Sequence, residues 1–280
     1  LFELVAGGVL QAVLVPSFVA ARRTGGDVAL GEATQATSGV IIAGLAIVAA
    51  AGMALSPLVA RLLVLSEPSA TVAREKIDVM VPMVLVFVPQ LVCYGLATVT
   101  SAALNARGRF VAASLAPAVN NLIVIVACVA FRAARGKAVA DLDLSPTEFA
   151  IIAGGTTLGV VVFSLMPAIA LGRSGVPWWP RWQPSHPSVR SMRQSFGWAT
   201  LSIVGTLVPT ATALALGNGA PGGVAVFVYA FAFYVLPHAL IAVSIATTLA
   251  PRVADSWQAG RTAEVRASVD NAMRMAVPLL

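Results

Sequence analysis

Long apolar runs separated by short polar connections dominate these 280 residues. A helix needs about 20 apolar residues to cross the hydrocarbon of a bilayer. Runs of that order lie near 1–21, 37–60, 78–104, 110–131, 149–171, 196–216 and 224–250, and another opens near 271. They are continuous, whereas the strands of a membrane barrel are segments of about ten residues with alternating polarity. The pattern predicts an all-α, polytopic transmembrane helical bundle. No basic region followed by a cleavage site precedes the first run, so it reads as a span and not as a signal peptide. The chain starts without Met inside one run and stops inside another, as part of a longer protein would.

Composition strengthens this reading. The chain is 58% hydrophobic and 11% charged, against about a quarter charged in a soluble domain, and its mean hydropathy is +0.88. The net charge of +6 does not indicate nucleic acid, because no stretch interleaves Arg with exposed aromatics. It follows instead the connections between spans, which alternate sides. One set (Arg22 and Arg23, Arg107 and Arg109, four arginines from Arg173 to Arg193, four from Arg252 to Arg274) holds 12 cations, and the other (Arg61, Arg74, Lys76, Arg132, Arg135, Lys137) holds 6. That bias places the first set in the cytoplasm. Arg107 and Arg109 then flank Gly108 in a tight cytoplasmic turn, both cations in the wet interface. Trp178, Trp179 and Trp182 in "PWWPRWQPSHPS" read as an interfacial anchor, and His186 as solvated. Cys93 and Cys128 fall inside spans as small buried hydrophobes, with no disulfide framework or metal spacing.

Two segments resemble one another: "LVPSFVAARRTGG" and "LAPRVADSWQAGR" share Leu-x-Pro and a Gly nine residues beyond the Pro. A repeat of six spans would give two copies of the same orientation, one span missing before residue 1, and a parent of at least 12 spans, about four of them after residue 280. Prolines recur inside the spans: Pro16, Pro82, Pro89, Pro117, Pro167, Pro209 and Pro237. Each removes a backbone hydrogen bond and tends to kink its helix, which suits helices that bend around a cavity.

Polar residues inside the spans are the candidate site. Asn120 and Asn121 lie about 18–20 Å along the helix from Gly108, near mid-bilayer, and Gln90 about 27 Å from it, toward the outer side. An amide facing lipid there would be unsatisfied, so these groups either hydrogen-bond across helices or line a hydrated path. Gln11 in the first span and His238 beside Pro237 join them. Glu3 sits near the outer end of its span and reads as snorkelling to the interface. Enzyme chemistry has little support: no HExxH, GxSxG, DxxD pair or phosphate-cradling glycine loop occurs. The one Ser/His pair, His238 with Ser244, falls on roughly opposed helix faces.

Three blocks, "LFELVAGGVLQAVLVPSFV", "PQLVCYGLATVTSAALNARGRFVAASLAPAVNNLIVI" and "YAFAFYVLPHALIAVSIATTLAPRVA", resemble the MurJ/MviN lipid II flippases of the MOP exporter superfamily. The second is the most specific, with Pro89-Gln90, Asn105, Arg109-Phe110, Pro117 and Asn121 at family-like spacing; Pro237 lies in the third. The resemblance runs along essentially all 280 residues and places the chain from the family's second span into its ninth. It implies two six-helix bundles facing a central cavity. Residues 1–171 would be the remainder of the first bundle, 172–195 a cytoplasmic linker, and 196–280 the start of the second. It implies as substrate the undecaprenyl-pyrophosphate-linked peptidoglycan precursor, moved from inner to outer leaflet of the bacterial cytoplasmic membrane by alternating access. No cofactor is implied; membrane lipids and cell-wall synthesis proteins are the implied partners. Many members carry a basic pair where this chain has Phe2 and Glu3, and an acidic-basic pair where it has Phe231 and Ala232. Gln11, Gln90, Asn120, Asn121 and His238 are therefore the polar cavity candidates here. The competing readings are another polysaccharide or drug exporter of the same superfamily, and a non-transporting scaffold. An antiporter would want membrane-embedded carboxylates, and only Glu3 is available.

Overall fold

In the computed structural model, residues 9–136, 143–237 and 261–276 are described. Every regular element among them is helical, and four stretches are long and apolar enough to cross a membrane: Val13–Ala54, Ala70–Ala106, Val111–Arg135 and Pro146–Arg173. The polytopic helical membrane bundle predicted from the apolar runs is what the chain forms. Contacts divide it into two compact units, 1–215 and 216–280.

The first unit opens with α1 (Val9–Ala54), two arms joined at Gly25 and Gly26. Gly26 has φ 65, a conformation that disfavours a Cβ, and the helix kinks there without a loop. The polar stretch expected as a connection between the first two spans is thus mostly helix. Only part of its polarity is satisfied within the helix: the buried Thr37 and Ser38 hydroxyls have no hydrogen-bond partner among the described residues. Thr34 Oγ1 donates to the Leu30 carbonyl at 2.7 Å, and Gln35, Thr37 and Ser38 are buried. After α2 (Ser56–Leu63), the next span is broken in two. The α3 helix (Ala70–Phe87) ends before Pro89, and α4 (Gln90–Ala106) follows, the break falling where proline lacks a donor. Next come α5 (Val111–Arg135) and the short α6 (Pro146–Phe149), started by a Ser145–Glu148 capping box. A π-helical turn, Ala150–Gly154, leads into α7 (Gly155–Arg173). The long α8 (Pro187–Gly217) begins inside the segment expected to be a linker.

Helix α1 packs most extensively on α4, α5 on α7, and α7 also on α4. The core sits toward one end. Leu14 and Phe18 of the first arm, Leu30 and Ala33 of the second, Val99 and Leu104 of α4, Leu171, Val176, Val189 and Met192 form one buried cluster. Away from it packing thins: α3 buries none of its residues and α5 only Ala116 and Ala127. Leu122, Ile125, Val126 and Val129 of α5 are exposed, a face whose natural solvent is lipid. Cys128 lies on that exposed face and Cys93 is half-buried, so neither is the fully buried residue expected.

In the second unit, a turn with Gly222 at φ 72 leads into α9 (Gly223–Pro237). Its Phe227 and Phe231 stack at 5.8 Å and Phe231 lies 6.1 Å from Tyr234. The amphipathic α10 (Thr262–Ala276) begins well before the run near 271.

Candidate functional site

The break at Pro89 puts Gln90 at the first turn of α4, facing α7. Its side-chain amide donates to Thr157 Oγ1 at 2.7 Å, and that hydroxyl donates onward to the Ala153 carbonyl at 2.7 Å. Ala153 belongs to the π-helical turn, so the widened turn supplies the acceptor that completes this chain. Gln90 is only 8% exposed, which makes the partnership obligatory.

Asn120 faces the same region from α5. Gly159 of α7 lets it approach: a Cβ there would stand 2.7 Å from Asn120 Oδ1 and 3.3 Å from its backbone oxygen. Asn120 Oδ1 is buried with no hydrogen-bond donor among the described residues. Its Nδ2 donates to Asn121 Oδ1 at 3.3 Å. Asn121 is exposed, and this bond partly meets its needs. Gln90 and Asn120 share the wall of an open cavity of about 480 Å³, with Tyr94, Thr156 and apolar residues including Phe87, Val124 and Val160. The Tyr94 ring packs on Phe163 at 5.7 Å. The chemistry on offer is an amide and hydroxyl ledge in a mostly apolar recess. Among the described residues, no group of three or more His, Cys, Asp or Glu could hold a metal ion.

Of the polar candidates, the structure brings Gln90 and Asn120 together at this recess and leaves Asn121 exposed beside it. Gln11 is half-buried on the first arm of α1 and does not line this recess; His238, like Glu3, lies outside the described residues. Pro117 is exposed on α5, Asn105 is half-buried near the end of α4, and Arg109 and Phe110 are exposed in the turn after it. Pro237 ends α9. Thr157 and Gly159 were missed by sequence reasoning. Both lie in the "GTTLGV" stretch, where two adjacent threonines inside an apolar run are themselves a polar signal.

A second constellation ties the basic end. Arg107 caps α4, and its guanidinium reaches Asp27 Oδ2 at 2.8 Å, the Ser174 carbonyl at 2.9 Å and the Ser174 hydroxyl. Arg22 bonds Asp27 Oδ1 at 3.2 Å and the Ala106 carbonyl at 3.3 Å. Three connections, after the first arm of α1, after α4 and after α7, therefore meet at one end, as the alternating count of cations requires. Arg109 is exposed as expected, but Arg107 is not in the wet interface: its side chain is 10% exposed, because an arginine fork can satisfy carboxylate, carbonyl and hydroxyl together. His186 also departs from expectation. It is half-buried, and its Nδ1 accepts the Ser188 N–H at 3.3 Å at the start of α8.

At the opposite end Lys76 pairs with Glu67 at 2.6 Å. The carboxyl of Glu67 is held below its ordinary range by that ammonium and by the Ser69 N–H, against a smaller opposing effect of burial.

The chain is 26% identical over 269 residues to a "Probable lipid II flippase MurJ" of Rhizobium tropici, an alignment covering 96% of this chain and 49% of that relative. It thus spans about half the length of the curated relative. The family model for lipid II flippase MurJ matches residues 1–280 from end to end. A helical membrane bundle with broken spans, matched along its whole length, identifies the chain as a member of the MurJ lipid II flippase family.

Proposed function

We propose that this chain is part of a flippase that carries the undecaprenyl-pyrophosphate-linked peptidoglycan precursor from the inner to the outer leaflet of the bacterial cytoplasmic membrane by alternating access. The observation that carries the reading is the family match over residues 1–280. The physical problem fits the architecture. A sugar-pyrophosphate head cannot cross hydrocarbon unaided, while its isoprenoid tail can stay in lipid beside a polar groove. Residues 1–171 would serve as most of one bundle, 172–195 as the connection, and 196–280 as the start of the second. Gln90 and Asn120, with Gln11, Asn121 and His238, would supply amide and imidazole contacts along the path, and the twelve cations of the basic set would face the cytoplasm. The work is transport and not covalent catalysis, and cell-wall synthesis proteins are partners in this reading.

Depletion of the full-length protein in its source bacterium, followed by leaflet-resolved labelling of the lipid-linked precursor, tests the proposal. The precursor should accumulate in the inner leaflet and its outward appearance should stop. Unchanged outward appearance overturns the reading.

A further inference from the structure

After Ser174 the chain does not leave the bundle. Residues 176–182 run back along the second arm of α1 as a strap, seated on three positions spaced four apart, which fall on one helix face. Pro177 lies where a Cβ on Gly31 would meet its ring at 2.8 Å. The Arg181 N–H donates to the Gln35 carbonyl at 3.0 Å, and the Arg181 carbonyl rests directly on Gly39. Val176 is fully buried, Trp178 packs against the core cluster, and Trp179 stacks on Trp178 at 4.6 Å. The strap is therefore a fixed surface and not a loose loop.

Its level along α1 is informative. From Asp27 to Ser38 the arm is polar, and from Gly39 it runs "GVIIAGLAIVAAAGMAL" without a charge. Gly39 stands about 18 Å from Asp27 along the helix. The strap thus returns the chain from the Arg107 tip to the height at which α1 becomes fit for hydrocarbon. At that height Trp179 and Trp182 are 68% and 66% exposed, and Arg181 is exposed beside them. Below the strap, Pro184, Ser185, Arg190 and Arg193 line an open depression of about 660 Å³. No Asp or Glu occurs in the sequence between Glu148 and Asp255. Arg173, Arg181, Arg190 and Arg193 are exposed, and none of the ion pairs among the described residues involves them.

We propose that the strap and the first turns of α8 form a docking surface for the headgroups of anionic phospholipids. Indoles held at the boundary between polar and apolar helix favour the headgroup level of a bilayer. Uncompensated guanidinium groups beside them match the phosphodiester, which arginine can engage through two parallel bonds. Charge complementarity selects anionic over zwitterionic lipid, and the rigid seating on Gly31, Gln35 and Gly39 lowers the entropy lost when lipid binds. An acidic protein would satisfy the arginines, but it would leave two indoles at membrane height without an apolar partner.

The test uses full-length protein reconstituted in phosphatidylcholine bilayers that carry a small, equal fraction of brominated phosphatidylglycerol or brominated phosphatidylcholine. The fluorescence lost between the parent and a Trp179→Phe/Trp182→Phe variant isolates the two indoles. That signal should be quenched by both lipids, and more by the anionic one. Each arginine near an anionic surface favours binding by roughly fivefold, so three give an upper bound of about a hundredfold at low salt. The Arg181→Gln/Arg190→Gln/Arg193→Gln variant should quench equally with the two lipids, and raised salt should narrow the parent's preference. Equal quenching in the parent, or a preference that survives the triple substitution, overturns the proposal. So does the absence of quenching by either lipid, which would put this face against protein or water.

Discussion

Replacing Arg107 by Ala asks what closes the basic end of the bundle. The guanidinium makes bonds to the Ser174 carbonyl at 2.9 Å and the Ser174 hydroxyl, and an ion pair with Asp27 at 2.8 Å, where the two side chains are 10% and 45% exposed. Hydrogen bonds from a charged donor contribute about 1.5–3 kcal/mol. The Asp27 arm is half in solvent, so screening holds it to about 0.2–1 kcal/mol. The expected loss for Arg107→Ala is about 2–3 kcal/mol, most of it through Ser174. Arg107→Lys keeps the charge but not the fork and should lose about 1–2 kcal/mol. Unfolding in mixed detergent–SDS micelles, followed by far-UV circular dichroism, gives these differences. A double-mutant cycle with Asp27→Asn isolates the ion pair. A loss below about 0.5 kcal/mol for Arg107→Ala, or a coupling to Asp27 larger than the remainder of that loss, would refute the assignment of Ser174 as the main partner.

Gly39→Ala should unseat the strap, because a Cβ there collides with the Arg181 backbone carbonyl and a backbone atom cannot swing aside as a side chain can. Faster proteolysis between Val176 and Arg190, with the helical content kept, is the expected result, while Gly44→Ala, where a Cβ meets nothing within 4 Å, should behave as the parent. Gln90→Leu removes the donor to Thr157 and should cost about 0.6 kcal/mol, the average for a hydrogen bond between membrane helices; if the recess serves transport, precursor flipping in reconstituted vesicles should fall by more than that stability loss explains. The Glu67–Lys76 contact gives a pH signature of definite sign. Because the folded carboxyl titrates below its ordinary value, its contribution is present above the unfolded pKa and is lost as pH falls through the depressed one. Lys76→Met should bring the Glu67 carboxyl resonance back toward the ordinary titration range in an NMR pH series, and an unchanged midpoint would count against the pairing.

The membrane-length helices over 78–104, 110–131 and 149–171 were legible in the residues, because the bilayer sets one length scale and these apolar runs obey it. The same holds for the grouping of the basic connections: Arg22, Arg107 and Ser174 meet at one end, as alternation demands. Membership of the MurJ lipid II flippase family was readable from "PQLVCYGLATVTSAALNARGRF" and its neighbours, and the match over residues 1–280 bears it out. The polar positions could be named but not partnered. Asn120 and Asn121 are indistinguishable in sequence, yet Gly159 draws one inward and leaves its neighbour exposed. Nothing along the chain says that Gln90 will find Thr157, 67 residues away.

What the sequence determined by itself was the solvent and the helical class, since hydropathy is a local property summed along the chain. The tertiary structure alone decided which polar groups are satisfied, that Arg107 is drawn out of water into a junction of three segments, and that the segment after Ser174 is laid against Gly31, Gln35 and Gly39. Those outcomes rest on close approach between helices distant in sequence. Close approach depends on where a side chain is missing or a proline breaks the ladder, and on which helix happens to stand opposite.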